Sequence, residues 1–87
     1  MIKQIQKKVV IVGGGGHVGL PLGLALSKCG YSVIAFDTST STVNQINSGI
    51  MPFLEGGAQA LLESSLADKS FLASTNPDCL LGAEIII

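Results

Sequence analysis

Four consecutive glycines, Gly13 to Gly16, follow a short apolar run near the N-terminus. The pattern G-x-G-x-x-G fits them in one frame, Gly14, Gly16 and Gly19, because a frame that started at Gly13 would require glycine where Val18 stands. In this pattern the first glycine permits a tight turn out of a strand. The second leaves room for a pyrophosphate, and the third lets a helix pack closely against the sheet. The spacing therefore predicts a loop that binds the diphosphate of a dinucleotide.

The backbone N–H groups at the start of the following helix are the expected donors to that diphosphate. Around Gly16, His17 and Val18 these groups should lack partners and should point along the positive end of the helix dipole. A Walker loop is excluded, because Leu20 and Pro21 stand where lysine and serine or threonine would be required. His17 is the only histidine. Its place at the phosphate end favours a backbone contact, with its ring at the loop surface, over a role as general base.

An acidic residue, Asp37, ends the next apolar run and lies 18 residues after Gly19. Its carboxylate can accept hydrogen bonds from both hydroxyls of an adenosine ribose and would repel a 2′-phosphate. All five basic residues are lysines, so no arginine is present to hold such a phosphate. The pattern favours NAD over NADP, with Thr38 beside Asp37 in the cofactor site. The alternatives are a turn cap beside Thr38 and Ser39 for the acid, and a merely flexible turn for the glycines.

The elements that must position these residues follow from the apolar pattern. Strands are predicted at residues 8–12, 31–37, 70–75 and 84–87. Helices are predicted after the glycine loop, through residues 43–49, over residues 58–66, and as a short helix from Asn76 to Gly82, with a loop at residues 50–57. The order β-α-β-α-α-β-α-β predicts an α/β fold. We expect a Rossmann-type parallel sheet with flanking helices, the N-terminal part of a doubly wound domain.

The first helix is predicted to turn one apolar stripe towards the core. The stripe follows helical spacing and comprises Val18, Leu22, Ala25, Leu26 and Cys29. Pro21 lies near its first turn, where the missing N–H costs least.

The composition narrows the classes of function. Hydrophobic residues make up 47% of the 87-residue chain and charged residues 13%, which argues against disorder. A net charge of −1 without arginine argues against nucleic-acid binding. No apolar run approaches the ~20 residues of a membrane-spanning helix, and residues 1–8 do not resemble a secretory signal. We therefore expect a cytoplasmic protein that contacts no membrane.

The two cysteines, Cys29 and Cys79, form no C-x-x-C pair and have no histidine close in sequence. They are expected to be small buried hydrophobes, and no metal site is expected.

Beyond the glycines, the run from Val12 to Leu26 opens its helix with G-H-V-G-L-P-L at residues 16–22, an opening of the G-V-G-L-P-L type, and residues 30–37 continue it as G-Y-S-V-I-A-F-D. These stretches resemble the nucleotide-sugar 6-dehydrogenases, which include UDP-glucose and UDP-N-acetylmannosamine dehydrogenases. The stretch N-x-G-x-x-P-x-x-E at residues 47–55, S-T-N-P at 74–77 and G-A-E-I-I-I at 82–87 extend the likeness over residues 9–87. The chain departs from the family where His17 replaces tyrosine, Thr42 replaces a basic residue, and Gly56-Gly57-Ala58 replaces Pro-Gly-Leu.

The resemblance implies an intact enzyme that oxidises the C6 hydroxyl of a UDP-sugar to a carboxylate with two NAD⁺, through a thiohemiacetal and a thioester on a cysteine. It also implies that this cysteine, its supporting lysine and asparagine, and the sugar-binding domain lie downstream. Residues 1–87 would then be the N-terminal part of an NAD-binding domain, without catalytic residues and inactive alone, since neither Cys29 nor Cys79 matches the nucleophile. Glu55 is expected to be a solvated loop acid or to approach the active site, and the intact protein to be a homo-oligomer.

Two other hypotheses share the glycine loop and the acid. One is a non-catalytic regulatory domain that senses nucleotides, which would not be expected to have the G-L-P-L opening or the P-x-x-E loop. The other is a different NAD enzyme of related fold, such as a 3-hydroxyacyl or 6-phosphogluconate dehydrogenase.

Overall fold

The structure, a computed structural model, describes residues 7–87. Residues 1–6 lie outside this range. The expectation that residues 1–8 are not a secretory signal therefore falls mostly outside the described residues. The described chain runs through β1 (Lys8–Val12), α1 (Gly19–Lys28), β2 (Ser32–Phe36), α2 (Thr40–Asn47), α3 (Ala58–Ala67), β3 (Phe71–Ser74), a 3-10 turn (Pro77–Leu80) and β4 (Ile85–Ile86). Within residues 7–87, no helix combines the length and the apolar character that crossing a membrane requires.

The strands form one parallel sheet in the order β3-β2-β1-β4, which confirms the predicted Rossmann-type fold. Val12 at the end of β1 is the register partner of Phe36 at the end of β2. The glycine loop after β1 and Asp37 after β2 therefore leave the sheet at the same edge. The connection from β1 leads to β2 on one side, whereas β4 lies on the other side of β1. Ligands of open α/β sheets bind at such a switch point, outside the carboxyl ends of the strands.

Helix α1 buries a different face from the predicted one. Its buried residues are Leu20, Gly23, Leu24 and Ser27. Of the predicted stripe, only Leu26 packs partly against the core. Val18 is 80% exposed and Leu22 is 37% exposed, and Ala25 and Cys29 are exposed as well.

The physical reason lies in two buried positions that carry no apolar side chain. A Cβ on Gly23 would lie 3.0 Å from the Phe71 ring and 3.1 Å from Cδ1 of Ile11, so α1 approaches the sheet most closely there. One turn later the hydroxyl of Ser27 contacts the hydroxyl of Ser70. Glycine and serine do not count as apolar residues. The apolar spacing therefore indicated the opposite face of α1.

The remaining elements follow the sequence more closely. The Ser39 hydroxyl caps α2 by accepting from the N–H of Thr42. Helix α3 covers the predicted residues 58–66 and buries Ala58, Leu62 and Ser65. Asn76 caps the following segment, which is a 3-10 turn of four residues and not the short helix expected.

The expectation for the cysteines was wrong. Cys29 is exposed at the end of α1, and Cys79 is only half-buried.

Candidate dinucleotide site

The glycine loop is fastened to the end of β2. The N–H groups of Gly13 and Gly14 both donate to the carbonyl oxygen of Phe36, over 2.9 and 3.0 Å. A Cβ on Gly14 would lie 2.5 Å from Cβ of Ala35 and 2.9 Å from the carbonyl oxygen of Ile11, so no larger residue fits. Gly14 thus allows the loop to press onto the neighbouring strand as it turns away from β1.

Backbone amides at the start of α1, among them two that the sequence predicts as donors, are available to a ligand. No acceptor among residues 7–87 takes the N–H of His17 or of Val18. The N–H of Gly16, by contrast, donates to the carbonyl oxygen of Gly13 over 3.1 Å, so the expectation that it lacks a partner was wrong. The N–H groups of His17 and Val18 lie at the positive end of a ten-residue helix. They can bind an anionic group such as a phosphate.

The second and third glycines of the motif have different surroundings. A Cβ on Gly16 would meet only the carbonyl oxygen of Gly13, at 3.4 Å, so the space in front of this residue is open. A Cβ on Gly19 would lie 2.6 Å from that same oxygen. Gly19 therefore lets the start of α1 pack against the glycine loop. The sequence had predicted that this glycine lets the helix pack against the sheet. The close packing on the sheet belongs to Gly23.

Asp37 directly follows β2, and both of its carboxylate oxygens are held. Oδ2 accepts the N–H of Gly15 over 3.1 Å, and Oδ1 accepts the N–H of Ser39 over 3.0 Å. The turn-cap alternative therefore describes part of what Asp37 does. Because an ionised carboxylate has about four acceptor positions, room remains for hydrogen bonds from ribose hydroxyls. Thr38 lies exposed beside the carboxylate.

Gly15 is a site residue that the motif did not identify. A Cβ there would lie 2.8 Å from Cγ2 of Thr42 and 3.0 Å from Oδ2 of Asp37. The available signal was the length of the run, which has four glycines where the pattern requires only two.

His17 is exposed, and its ring makes an aromatic contact. This ring stacks on the ring of Phe53, with the centroids 4.1 Å apart and the planes 19° from parallel. Phe53 belongs to the loop between α2 and α3 and packs partly against the core. No sequence pattern indicated this contact. Within residues 7–87, no cluster of three histidine, cysteine or acidic residues could hold a metal ion.

Comparison with known proteins gives this site a context. Residues 7–87 match the sequence model of the UDP-glucose/GDP-mannose dehydrogenase family, NAD binding domain. A UDP-N-acetyl-D-mannosamine dehydrogenase of Methanococcus vannielii is 34% identical over 76 residues, which cover 87% of this chain and 18% of that protein. A putative UDP-glucose 6-dehydrogenase of Bacillus subtilis is 34% identical over 74 residues, or 83% of this chain and 17% of that protein.

A solved structure agrees with these matches. The GDP-mannose dehydrogenase of Pseudomonas aeruginosa, in a ternary complex, superposes with a TM-score of 0.84 at 29% identity, over 90% of this chain and 18% of that one. The chain therefore spans about a fifth of the length of the relatives it matches.

Proposed function

The chain belongs to the UDP-glucose/GDP-mannose dehydrogenase family, whose NAD-binding domain it matches, and on this premise we propose its part in the complete reaction. It binds NAD in an enzyme that oxidises the C6 hydroxyl of a UDP-sugar, UDP-N-acetylmannosamine or UDP-glucose, to a carboxylate with two NAD⁺. Relatives named as dehydrogenases of these two substrates support the proposal over a regulatory nucleotide sensor or a different NAD enzyme. A cytoplasmic location and a homo-oligomeric assembly are part of it.

The observation that carries the proposal is a hydrogen bond between the glycine loop, which leads to the free amides, and Asp37. The N–H groups of His17 and Val18 would donate to the diphosphate, in the open space before Gly16. On the neighbouring strand, Asp37 would accept hydrogen bonds from the adenosine ribose. The bond between Gly15 and Asp37 fixes these two subsites relative to each other.

Each of these groups has a defined role in binding and orientation. The bound NAD supplies the hydride acceptor, since hydride chemistry belongs to the nicotinamide. The glycine loop neutralises the diphosphate through backbone donors, which need no lysine or arginine. The negative charge of Asp37 excludes the 2′-phosphate of NADP, because two anions would be brought together without a cation between them.

The groups that act on the sugar are proposed to lie outside residues 1–87. Cys29 caps the far end of α1, and a helix of ten residues separates it by about 15 Å from the loop at its start. Cys29 therefore does not meet the requirements of a nucleophile at this site. We expect the isolated 87-residue chain to turn over no nucleotide sugar and to bind NAD⁺ weakly.

The test uses the full-length protein. Titration calorimetry should detect NAD⁺ binding with much weaker NADP⁺ binding, and NADH should form on addition of UDP-N-acetylmannosamine or UDP-glucose. NAD⁺ binding without turnover of any nucleotide sugar would favour the regulatory alternative. Absence of NAD⁺ binding would contradict the proposal altogether. Light scattering of the full-length protein measures the expected homo-oligomeric assembly.

A further inference from the structure

The stack of the His17 ring on the Phe53 ring joins the end of the glycine loop to the loop between α2 and α3. His17 carries one of the free amides at the start of α1. Its ring lies 4.1 Å from that of Phe53, centroid to centroid. Phe53 is half-buried and packs against the hydrophobic core, whereas His17 is exposed. The contact therefore attaches a surface loop to a ring that the core holds in place.

The loop that carries Phe53, residues 50–57, is itself anchored at its base. The side-chain N–H of Gln45, from α2, donates to the carbonyl oxygen of Met51 over 3.2 Å. From α3, Gln59 accepts the N–H of Met51 over 2.9 Å and donates to the carbonyl oxygen of Gly49. Two helices thus fix the start of this loop, and Phe53 stands two residues further on.

The glycine loop is held by hydrogen bonds of its own N–H groups only as far as Gly16, and the N–H groups of His17 and Val18 make no such bond within residues 7–87. Four glycines precede His17, and glycine has the greatest backbone freedom of any residue. The ring of His17 is the first side chain after them by which the loop can be fixed. The next residue, Val18, is mostly exposed.

We propose that Phe53 is a positioning residue for the diphosphate of the dinucleotide. By stacking on His17 it holds the N–H groups of His17 and Val18 in the direction from which the phosphates arrive. Less conformational freedom is then lost on binding, and the affinity for the diphosphate rises. The inference depends on the proposed function, because it assumes that these amides bind the diphosphate.

The test measures the affinity of the full-length protein for NAD⁺, ADP-ribose and adenosine. Phe53→Leu keeps an apolar side chain in the core but removes the ring, and His17→Ala removes the other ring from an exposed position. We expect each variant to bind NAD⁺ and ADP-ribose about 3- to 10-fold more weakly, the range given by the energy of an aromatic pair. Adenosine has no diphosphate, and its affinity should stay within about twofold of the wild type.

Two further variants separate positioning from a structural role. Phe53→Tyr retains the ring and should bind ADP-ribose about as well as the wild type. The double variant His17→Ala/Phe53→Leu should be no weaker than either single one, because both remove the same contact. Leu54→Ala is the matched control, since Leu54 is the next residue and is fully exposed.

The outcomes distinguish this inference from the function on which it depends. If the wild type binds no NAD⁺, the proposed function fails. If the wild type binds NAD⁺ but Phe53→Leu and His17→Ala bind ADP-ribose unchanged, only the positioning role is overturned. The same holds if adenosine affinity falls in parallel with ADP-ribose affinity, or if the effects of the two single variants add.

Discussion

The backbone N–H of Gly15 donates a hydrogen bond of 3.1 Å to Oδ2 of Asp37. The bond joins the loop after β1 to the acid after β2, across 22 positions of the chain. Because the other oxygen of Asp37 accepts the N–H of Ser39, the carboxylate is held from two sides. The loop and the acid therefore have a fixed geometry before a ligand binds. A substitution in the glycine loop should change the position of Asp37, and a substitution of Asp37 should change the position of the loop.

A methyl group at position 15 should disturb both neighbours. In Gly15→Ala the new Cβ would overlap Cγ2 of Thr42 and crowd Asp37. We expect a loss of about 1–3 kcal/mol in the free energy of unfolding, as in other overpacked sites. Adding Thr42→Ser removes the methyl group but keeps the hydroxyl that accepts from Ser39, and should restore part of the loss. Thermal unfolding of the single and double variants measures this; equal midpoints for both would contradict it.

Alanine at the first two motif glycines should separate folding from binding. Gly16→Ala faces open space, so the unfolding temperature should change little, while NAD⁺ affinity falls at least about tenfold because a methyl group occupies the approach of the diphosphate. Gly14→Ala meets Ala35 at 2.5 Å and should destabilise the protein by about 2 kcal/mol or more. Thermal unfolding and calorimetric titration of the two variants should give opposite orders. The same order in both would refute the assignment of Gly16.

The charge of Asp37 should set the choice between NAD and NADP. In Asp37→Asn the repulsion of a 2′-phosphate disappears and one acceptor is lost. We expect the ratio of NAD⁺ to NADP⁺ affinity to fall about tenfold or more, which corresponds to roughly 1.4 kcal/mol. Asp78→Asn, the same change on the exposed 3-10 turn, is the control. An unchanged ratio in Asp37→Asn would count against its contact with the ribose.

A prediction away from the site concerns the edge of the sheet. Asn47 at the end of α2 donates to the carbonyl oxygen of Ala73 over 2.8 Å and accepts its N–H over 2.9 Å. Ala73 is 4% exposed and lies on the edge strand β3, so both backbone groups would lose their partner in Asn47→Leu. We expect a loss of about 1–3 kcal/mol in unfolding free energy, and more aggregation through the unpaired edge.

The control for this variant is Asn44→Leu, an exposed position on the same helix. It should leave the stability unchanged or slightly raised, since leucine favours helix more than asparagine does. Urea unfolding followed by circular dichroism compares the two. Similar losses in both would show that the effect comes from the helix and not from the strand edge.

The order of the elements along the chain and the parallel sheet could be predicted because they depend on local patterns. A β-branched run closed by glycines indicates β1, and a second apolar run that ends in Asp37 indicates β2. Right-handed connections then make the strands parallel and bring their carboxyl ends to one edge. The family resemblance, carried by contiguous motifs, agrees with the matching family model.

Only the tertiary structure decided four features. They are the inward face of α1, the close fit of Gly15, the hydrogen-bonded amide of Gly16 and the stack of His17 on Phe53. Each depends on a contact between residues that lie apart in the chain, as Gly23 and Phe71 do. Glycine in particular gives no apolar signal, yet it stands where two segments approach most closely. The sequence by itself therefore determined which elements form and which of their ends meet. The tertiary structure decided which side of each element faces the other, because close packing selects faces by shape as well as by hydrophobicity.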